Sequence, residues 1–376
     1  MRVALVAESF RPTVNGVATS VLRAVEHLRR TGHRTLVIAP DAGPHPGDDF
    51  WVTRVRSVGL PLDRSVPVGI PAQSLVGPLR DFAPDVVHLA SPTELGWYGA
   101  RAARELDIPA VAVFQTDLVG FARRHHLRMA APAIRSWQRH VHGMTARTLV
   151  PSTWAGWQLA RTGVGPLALW RRGVDLDLFS PGRRSGLLRT TLAPHGELLV
   201  GFVGRLAREK QVHLLRVLDG LPGVRVVVVG DGPRREQLQR QLPAARFLGL
   251  LHGEELAATI ASLDVFVQTG VDETFCQAVQ EALACGVPVL APTRGGPLDL
   301  VRHGDNGWLW PVEDPGLIRQ QVAELAADRG LVDTMRLRAR ASVLSRTWER
   351  AGEELVGHYR SVLGVPGVSD LQRWAA

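Results

Sequence analysis

The 376-residue sequence predicts two α/β units, each a doubly wound parallel sheet with helices on both faces. Three observations carry this expectation. Short apolar runs of strand length alternate with helical patterns from end to end. The alternation is interrupted once, at RRGVDLDLFSPGRRSG (171–186), where Pro, Gly and Arg gather as in a linker, and then begins again. The length also exceeds what one hydrophobic core usually organises. The expected domains are therefore 1–180 and 190–345.

Taken in order, RVALVA (2–7) is a buried strand. A loop carrying Asn15-Gly16 follows, then a helix from about Ala18 to Arg30 with Val21, Leu22, Val25 and Leu28 at helical spacing. Gly32 stops it, and RTLVIAP (34–40) is the next strand, so the chain opens as βαβ. No G-x-G-x-x-G is present, which excludes a dinucleotide fingerprint. Gly16 still allows close approach of backbone to a phosphate at the helix start. Strands at 85–90, 109–114, 148–151 and 166–170 alternate with helices at 94–106, about 130–144 and 153–162. Beyond 186, strands at 198–203, 224–229, 264–268 and 287–291 alternate with helices at 211–219, 234–242 and 253–262. Helical patterns at 313–328, 330–344 and 347–363 close the chain.

The stretch QTGVDETFCQAVQEALACG (268–286) is the most informative. It opens as a loop and becomes a helix in which Phe275, Ala278, Val279, Ala282 and Leu283 recur at three- and four-residue steps, and Gly286 ends it. Glu273 and Glu281 lie eight apart. Eight helical residues rotate ~800°, about 80° net, and rise ~12 Å. That places Glu273 at the helix mouth and Glu281 two turns down. The separation suits one extended ligand held at two points, with the helix start favouring an anion.

Composition narrows the class. No apolar run reaches the ~18 residues a membrane crossing needs, and MRVALVAESF is too briefly apolar for a secretory signal. Cys276 and Cys285 make no disulfide framework, so the chain reads as reduced and cytosolic. The formal net charge is +8, but residues 1–185 carry 23 arginines against 14 acids, a net +9. That half is expected to meet anionic partners, such as the inner face of a membrane, peripherally. Its most basic stretch, 119–142, mixes Arg and His with Phe121, Leu127, Met129, Ile134 and Trp137, a pattern that lies on anionic lipid. His125, His126, His140 and His142 have no carboxylate or cysteine at ligand spacing, so no metal is expected there.

Gly204-Arg205-Leu206, then Glu209-Lys210, follows the strand at 198–203. Two cations five apart at a strand end are what a diphosphate requires, Arg binding oxygens bidentately and Lys supplying a point charge. Lys210 is the only lysine in the chain.

GRLAREK, GDGP, ETFCQAVQE and APTRGGPLDLV, in this order and spacing, resemble the retaining glycosyltransferases of family 4, whose E-x7-E signature Glu273 and Glu281 match. PTVNGVATSV, PDVVHLASP, QTDLVGFARRH and RRGVDLDLFSP resemble, more narrowly, actinobacterial GDP-mannose-dependent α-mannosyltransferases acting on lipid or inositol-containing acceptors. The resemblance spans nearly the whole chain. It implies the GT-B fold, two Rossmann-like doubly wound domains facing a central cleft. The first domain takes the acceptor and is joined by a C-terminal helix (347–376) crossing back, and the second takes the nucleotide-sugar.

The resemblance further implies that Arg205 and Lys210 neutralise the donor diphosphate, with Gly204 in the same turn. Glu281 hydrogen-bonds the ribose. Glu273 and the backbone N–H groups of Phe275 and Cys276 hold sugar hydroxyls. Gly16 approaches the phosphates, and Gly232, Leu250 and Leu251 flank the base. Neither cofactor nor metal is expected, the donor being a substrate and the partner a lipid or small polyol rather than nucleic acid. Asp175-Leu176-Asp177 spells a metal motif of a different transferase fold and is read as structural. Two departures from the family pattern stand out. Gln115 replaces a His, with Asp117 nearby as a contact for acceptor or sugar, and Cys276 replaces a Gly. A UDP-sugar transferase (GlcNAc to inositol phosphate, for instance) and a nucleotide-sugar epimerase of the same architecture stay open as alternatives.

Overall fold

The computed structural model describes residues 1–13, 15–41, 51–60, 63–69, 74–124 and 128–365. His125, His126, Leu127 and the stretch 366–376 of the expected C-terminal helix lie outside them. The chain divides into two compact units, Met1–Arg172 with Trp348–Ala376, and Gly173–Thr347.

The first unit begins β1 (Arg2–Val6), α1 (Gly16–Arg30), β2 (Arg34–Pro40), β3 (Trp51–Val55) and an antiparallel pair, β4 (Ser57–Leu60) and β5 (Asp63–Gly69). It continues α2 (Val76–Phe82), β6 (Val86–Leu89), α3 (Glu94–Glu105), β7 (Ala110–Val113), α4 (Leu118–Arg124), α5 (Ala131–His142), β8 (Arg147–Val150), α6 (Thr153–Ala160) and β9 (Leu167–Leu169). The sheet is wholly parallel, in the order β3-β2-β1-β6-β7-β8-β9. Its central strand shows why the sequence runs apolar without alternation. Val3, Leu5 and Ala7 face Val21, Val25 and Leu28 of α1, while Ala4 and Val6 face Leu79 of α2 and Leu95 of α3. A strand covered on both faces has no polar side to show.

The second unit runs α7 (Gly186–Leu192), β10 (Leu198–Val203), a 3-10 segment (Val212–Leu218), β11 (Val224–Val229), α8 (Arg235–Gln241), β12 (Arg246–Gly249), α9 (Gly253–Ser262), β13 (Val265–Val267), α10 (Gln277–Ala284), β14 (Val289–Pro292), β15 (Gly307–Trp310), α11 (Leu317–Ala327) and α12 (Arg329–Ala341). Its parallel sheet has the order β12-β11-β10-β13-β14-β15. Val200 and Phe202 pack towards Leu215, Ile318 and Val322, and Leu199 packs towards Ile260, Val279 and Leu283. The amino end of β13 is fixed by Asp264, which accepts from Arg184 (2.7 Å), Arg189 (2.9 and 3.0 Å) and the Leu199 amide (2.9 Å).

Three expectations need correction. Residues 173–186 are not a free linker, because Val174 and Phe179 are buried in the core of the second unit and Arg340 donates to the Leu176 and Phe179 carbonyls at 3.1 and 2.8 Å. The helix expected at 211–219 is a 3-10 segment. The helix expected to include Phe275 begins only at Gln277. Elements β3, β4, β5, β15, α2, α4 and α7 were not expected.

After Thr347 the chain joins the first unit as α13 (Trp348–Val362). Leu355, Val356 and Tyr359 enter the core beneath β1. Polar links fix the register. The Trp170 indole donates to Ala351 O at 2.8 Å, and the Tyr359 hydroxyl meets His88 Nδ1 at 2.8 Å. His358 faces the Arg147 guanidinium through Nδ1 (3.2 Å) and Leu169 O through Nε2 (2.8 Å), so Nδ1 accepts, Nε2–H donates and the imidazole is neutral. Gly352 lies against the His27 ring of α1, and a Cβ there would overlap it. Gly352→Ala should therefore cost about 1–3 kcal/mol through overpacking, seen as a melting temperature lower by roughly 3–10 °C. A variant melting with the wild type would show that the α1–α13 seam yields.

Candidate active site

In the second unit the carboxyl ends of four strands carry loops locked to one another through glycine. After β10, Gly204 takes φ 158°, and after β11, Gly230 takes φ 129°. A Cβ on Gly230 would collide with the Gly204 carbonyl, and one on Gly232 would stand 2.6 Å from Leu206 O. Backbone bonds close this seam, Gly204 N to Val229 O at 3.0 Å, Leu206 N to Asp231 O at 2.8 Å and Arg234 N to Leu206 O at 3.0 Å. GRL and GDGP are therefore two halves of one backbone lock, which no side chain larger than hydrogen permits.

The lock holds the 3-10 turn Arg208–Lys210 against the loop after β13. Thr269 Oγ1 donates to Lys210 O at 2.6 Å, and Lys210 Nζ donates to Glu273 Oε1 at 2.6 Å. Gln268 Nε2 lies 3.3 Å from the same carboxylate oxygen. The loop after β14 closes on this one from the other side. Gly296 N donates to Glu273 O at 2.7 Å, and a Cβ on Gly296 would strike the Phe275 backbone. Arg294 pairs with Asp272 at 3.0 Å. The Lys210–Glu273 side chains are 25% and 16% exposed, so the pair is neither a surface bridge nor a sealed one. Burial pulls the Lys210 pKa down, but Glu273, Cys276 and Glu209 together outweigh it and the net shift is upward. Lys210 is charged at neutral pH.

Cys276 occupies the N-cap of α10 at φ 89°, a left-handed conformation unusual for a residue with a side chain. Its thiol is pushed up to about 12 by burial and by Glu273, against the pull of Lys210, and Glu281 also acts on it. It is a thiol, not a nucleophile. Cys285 caps the other end of α10, so the cysteines flank the helix rather than share it. Glu281, on α10 itself, is pushed up to about 8 by burial, with a Gln277 hydrogen bond opposing. At neutral pH the protonated form is therefore favoured.

The expected residues thus separate into groups. Gly204, Gly232, Lys210, Glu273 and Phe275 share the locked loops, and Cys276 stands within electrostatic reach of Lys210, Glu273 and Glu281. Arg205 is exposed in the turn after β10, Leu250 is 63% exposed, and Leu251 packs on the core. Glu273 is not at a helix mouth. It lies four residues before α10, so the ~80° and ~12 Å relation does not hold. Lys210 is partnered by Glu273. Thr269 and Gln268 were missed, and their only signal was position, polar residues immediately after a buried strand.

In the first unit, Asn15 caps α1, accepting from Val17 N (3.0 Å) and Ala18 N (2.9 Å), and its amide donates to Ser9 Oγ at 2.8 Å. Gly16 is exposed with open space where a Cβ would stand. Asp117 accepts from Gly120 N at 2.8 Å, a local bond at the start of α4. Gln115 is held at both ends, donating to Ala90 O and accepting from Arg172 Nη2, each at 2.5 Å. Arg172 is buried over the Trp170 ring, 4.8 Å from its centroid, and burial lowers its pKa to about 9. Glu8, beyond β1, was not singled out from sequence. Burial pushes its carboxyl up to about 7, against hydrogen bonds from Thr93, Gly96 N and Leu95 N. Among the described residues no three His, Cys, Asp or Glu side chains cluster as a metal site.

Residues 14–178 match the family described as Glycosyltransferase Family 4, and residues 187–342 match Glycosyl transferases group 1. A GDP-mannose-dependent alpha-mannosyltransferase of Mycolicibacterium smegmatis is 50% identical over 97% of this chain and 98% of its own. A GDP-mannose-dependent alpha-(1-6)-phosphatidylinositol dimannoside mannosyltransferase of Mycobacterium tuberculosis is 28% identical over 98% of this chain and 97% of its own. Among solved structures, sucrose-phosphate synthase from Thermosynechococcus elongatus superposes with a TM-score of 0.79 over 96% of this chain and 99% of its own, at 20% identity, a likeness of fold.

The raised Glu281 carboxyl makes a signed prediction. Because its folded pKa, about 8, exceeds the ordinary 4.5, ionisation opposes folding progressively between those values and fully above pH 8. Glu281→Gln removes that cost. Its melting temperature should exceed the wild type's by about 3–6 °C at pH 9 and match it near pH 4.5. A difference that does not vary with pH would show that the carboxyl is not displaced.

Proposed function

This chain belongs to glycosyltransferase family 4, and from that premise we propose that it moves mannose from GDP-mannose, with retention, to a hydroxyl of a lipid-linked or inositol-containing acceptor. The observation that carries the donor is the 50% identity, across almost the full length, to a GDP-mannose-dependent α-mannosyltransferase. The acceptor class is supported by the phosphatidylinositol-mannoside transferase that aligns over 98% of the chain.

The locked loops suit this chemistry. As the bond from sugar to phosphate breaks, positive charge grows on the sugar and negative charge on the diphosphate. Fixed cations at the leaving group stabilise that state without reorganising. Lys210, held by Glu273 and the Thr269 bond, is such a cation, and Arg205 in the adjoining turn supplies bidentate contacts. Glu273 and the amides of Phe275 and Cys276 hold sugar hydroxyls. Glu281 accepts from the ribose, and Gly232, Leu250 and Leu251 border the base. Gly16, open at the first turn of α1, is a backbone approach for phosphate. The high Cys276 pKa argues against a covalent cysteine intermediate. Attack on the sugar from the leaving-group face, assisted by the departing phosphate, requires no protein nucleophile and no metal.

We place the protein in the cytoplasm, peripherally at the inner membrane face. Among the described residues no helix is long and apolar enough to cross a membrane. The net +9 of residues 1–185 and the exposure of Met129 (94%) and Trp137 (37%) support an anionic lipid surface as the partner.

Two measurements test these readings. With GDP-mannose, UDP-glucose and UDP-GlcNAc offered in parallel, GDP-mannose and GDP should raise the melting temperature. Lys210→Ala should lower kcat about 10²–10³-fold. Stabilisation by uridine nucleotides alone would move the donor to UDP-sugar, turnover without any acceptor would favour an epimerase, and a near-normal Lys210→Ala would remove the phosphate site from this loop. Flotation with vesicles containing anionic lipid should fade as salt rises from 50 to about 500 mM; binding indifferent to salt would exclude electrostatic docking.

A further inference from the structure

Glu281 has a neighbour that the donor chemistry above does not use. Gln277 is the first residue of α10 and Glu281 the fifth, so their side chains meet on one face of the helix. Gln277 hydrogen-bonds the Glu281 carboxyl, and its Nε2 donates to Gly173 O at 3.0 Å. The bond to Glu281 lowers the carboxyl pKa, so it serves the ionised form and the carboxamide is the donor there as well. An amide nitrogen carries two N–H groups, one for each acceptor. Gln277 thus bridges Glu281 and the start of the second unit.

The far end of the bridge is a fixed point. Gly173 is buried, and Val174 beside it lies in the core of the second unit. Val174 N donates to Arg346 O at 2.8 Å, and Arg340 fastens the following turn at Leu176 O. Glu281, in contrast, is partly exposed, as a carboxyl that meets a ligand must be. A glutamate has three side-chain torsions, and packing on one side does not fix them all. A donor anchored to a buried carbonyl does. If Gln277 served the strap alone, one N–H would suffice and the second would have no reason to face Glu281.

We propose that Gln277 is a positioning residue for the donor, aiming the Glu281 carboxyl at the ribose with Gly173 O as its anchor. The inference rests on the reading that Glu281 accepts from the ribose. It assigns Gln277 no contact with the donor. Holding Glu281 in place before the nucleotide arrives removes part of the ordering that binding would otherwise require. The gain exists only for a ligand with ribose hydroxyls.

The test measures dissociation constants by calorimetry for GDP and 2′,3′-dideoxy-GDP, with UDP and 2′,3′-dideoxy-UDP alongside. Gln277→Met keeps the length of the side chain and removes both donors. Gln277→Glu keeps its shape, and provides the same reading where Gln277→Met does not fold. Wild-type protein should bind GDP about 10-fold more tightly than the dideoxy compound. In either variant that ratio should fall to about twofold or less. Gln277→Met should reach it by weakening GDP about 5–10-fold while 2′,3′-dideoxy-GDP stays within about twofold. A purely structural role would weaken both nucleotides alike and leave the ratio at its wild-type value, and that result overturns the proposal. So does a folded variant that binds GDP as the wild type does. Wild-type protein that binds both members of a pair equally strikes the ribose reading, and the proposal falls with it. Binding of UDP in place of GDP moves the donor to a UDP-sugar, and the uridine pair then supplies the ratio.

Discussion

The second unit is organised around one ion pair. Lys210 and Glu273 are 63 residues apart in the chain and 2.6 Å apart in space. That approach needs the loops after β10, β11, β13 and β14 to close on one another at backbone contact. Gly204, Gly230 and Gly232 let two of them interlock, and Gly270, Gly295 and Gly296 do the same for the others. At Gly230, Gly232, Gly295 and Gly296 a Cβ would meet backbone at 3.0 Å or less, at Gly270 it would meet the Glu273 and Gln268 side chains, and at Gly204 the Phe202 ring at 3.2 Å. The glycines of these motifs are therefore less about flexibility than about thickness. They bring a cation and a carboxylate to the ligand end of the sheet while leaving little room for relaxation, which is what pre-organised electrostatic stabilisation demands.

Protonation follows from the same crowding. Glu273 has a cation within bonding distance, whereas for Glu281 burial dominates and pushes the carboxyl up to about 8. Cys276 sits between the two with a left-handed backbone and a high thiol pKa. Its conformation turns the chain abruptly from the Glu273 loop into α10.

The sheets were legible in the sequence for a plain reason. Strands covered on both faces are apolar throughout, so 34–40, 198–203 and 224–229 were read to the residue, and their order in the chain fixes a parallel, doubly wound topology. Loops were less legible because their structure is set by contacts distant in sequence. The Lys210–Glu273 pair cannot be inferred from the spacing of either partner. Helical spacing carried Phe275 into α10 because the positive φ of Cys276 leaves no mark on apolar periodicity. Pro, Gly and Arg at 171–186 spelled a linker, yet Arg340 fastens that strap by its carbonyls and Phe179 is buried beneath it. Composition describes which residues avoid regular structure, not whether they are packed.

The solitary lysine is explained by the same geometry. The chain otherwise relies on arginine for cationic charge, and at most positions guanidinium serves well, as around Asp264, where Arg184 and Arg189 engage carboxylate and carbonyls together in flat forks. At position 210 the demands differ. One N–H points at Glu273, and on the function proposed above the others would face the donor diphosphate. An ammonium offers three donors arranged as a tripod, so bonding Glu273 at 2.6 Å leaves two aimed out of that line. A guanidinium confines its donors to one plane and spreads its charge over three nitrogens. Placed here it would satisfy the carboxylate bidentately and leave fewer donors directed out of that plane. Arginine at 210 would thus conserve charge and lose the direction of that charge, so on the proposed function the one departure from arginine falls where a single cation would serve two anions at an angle.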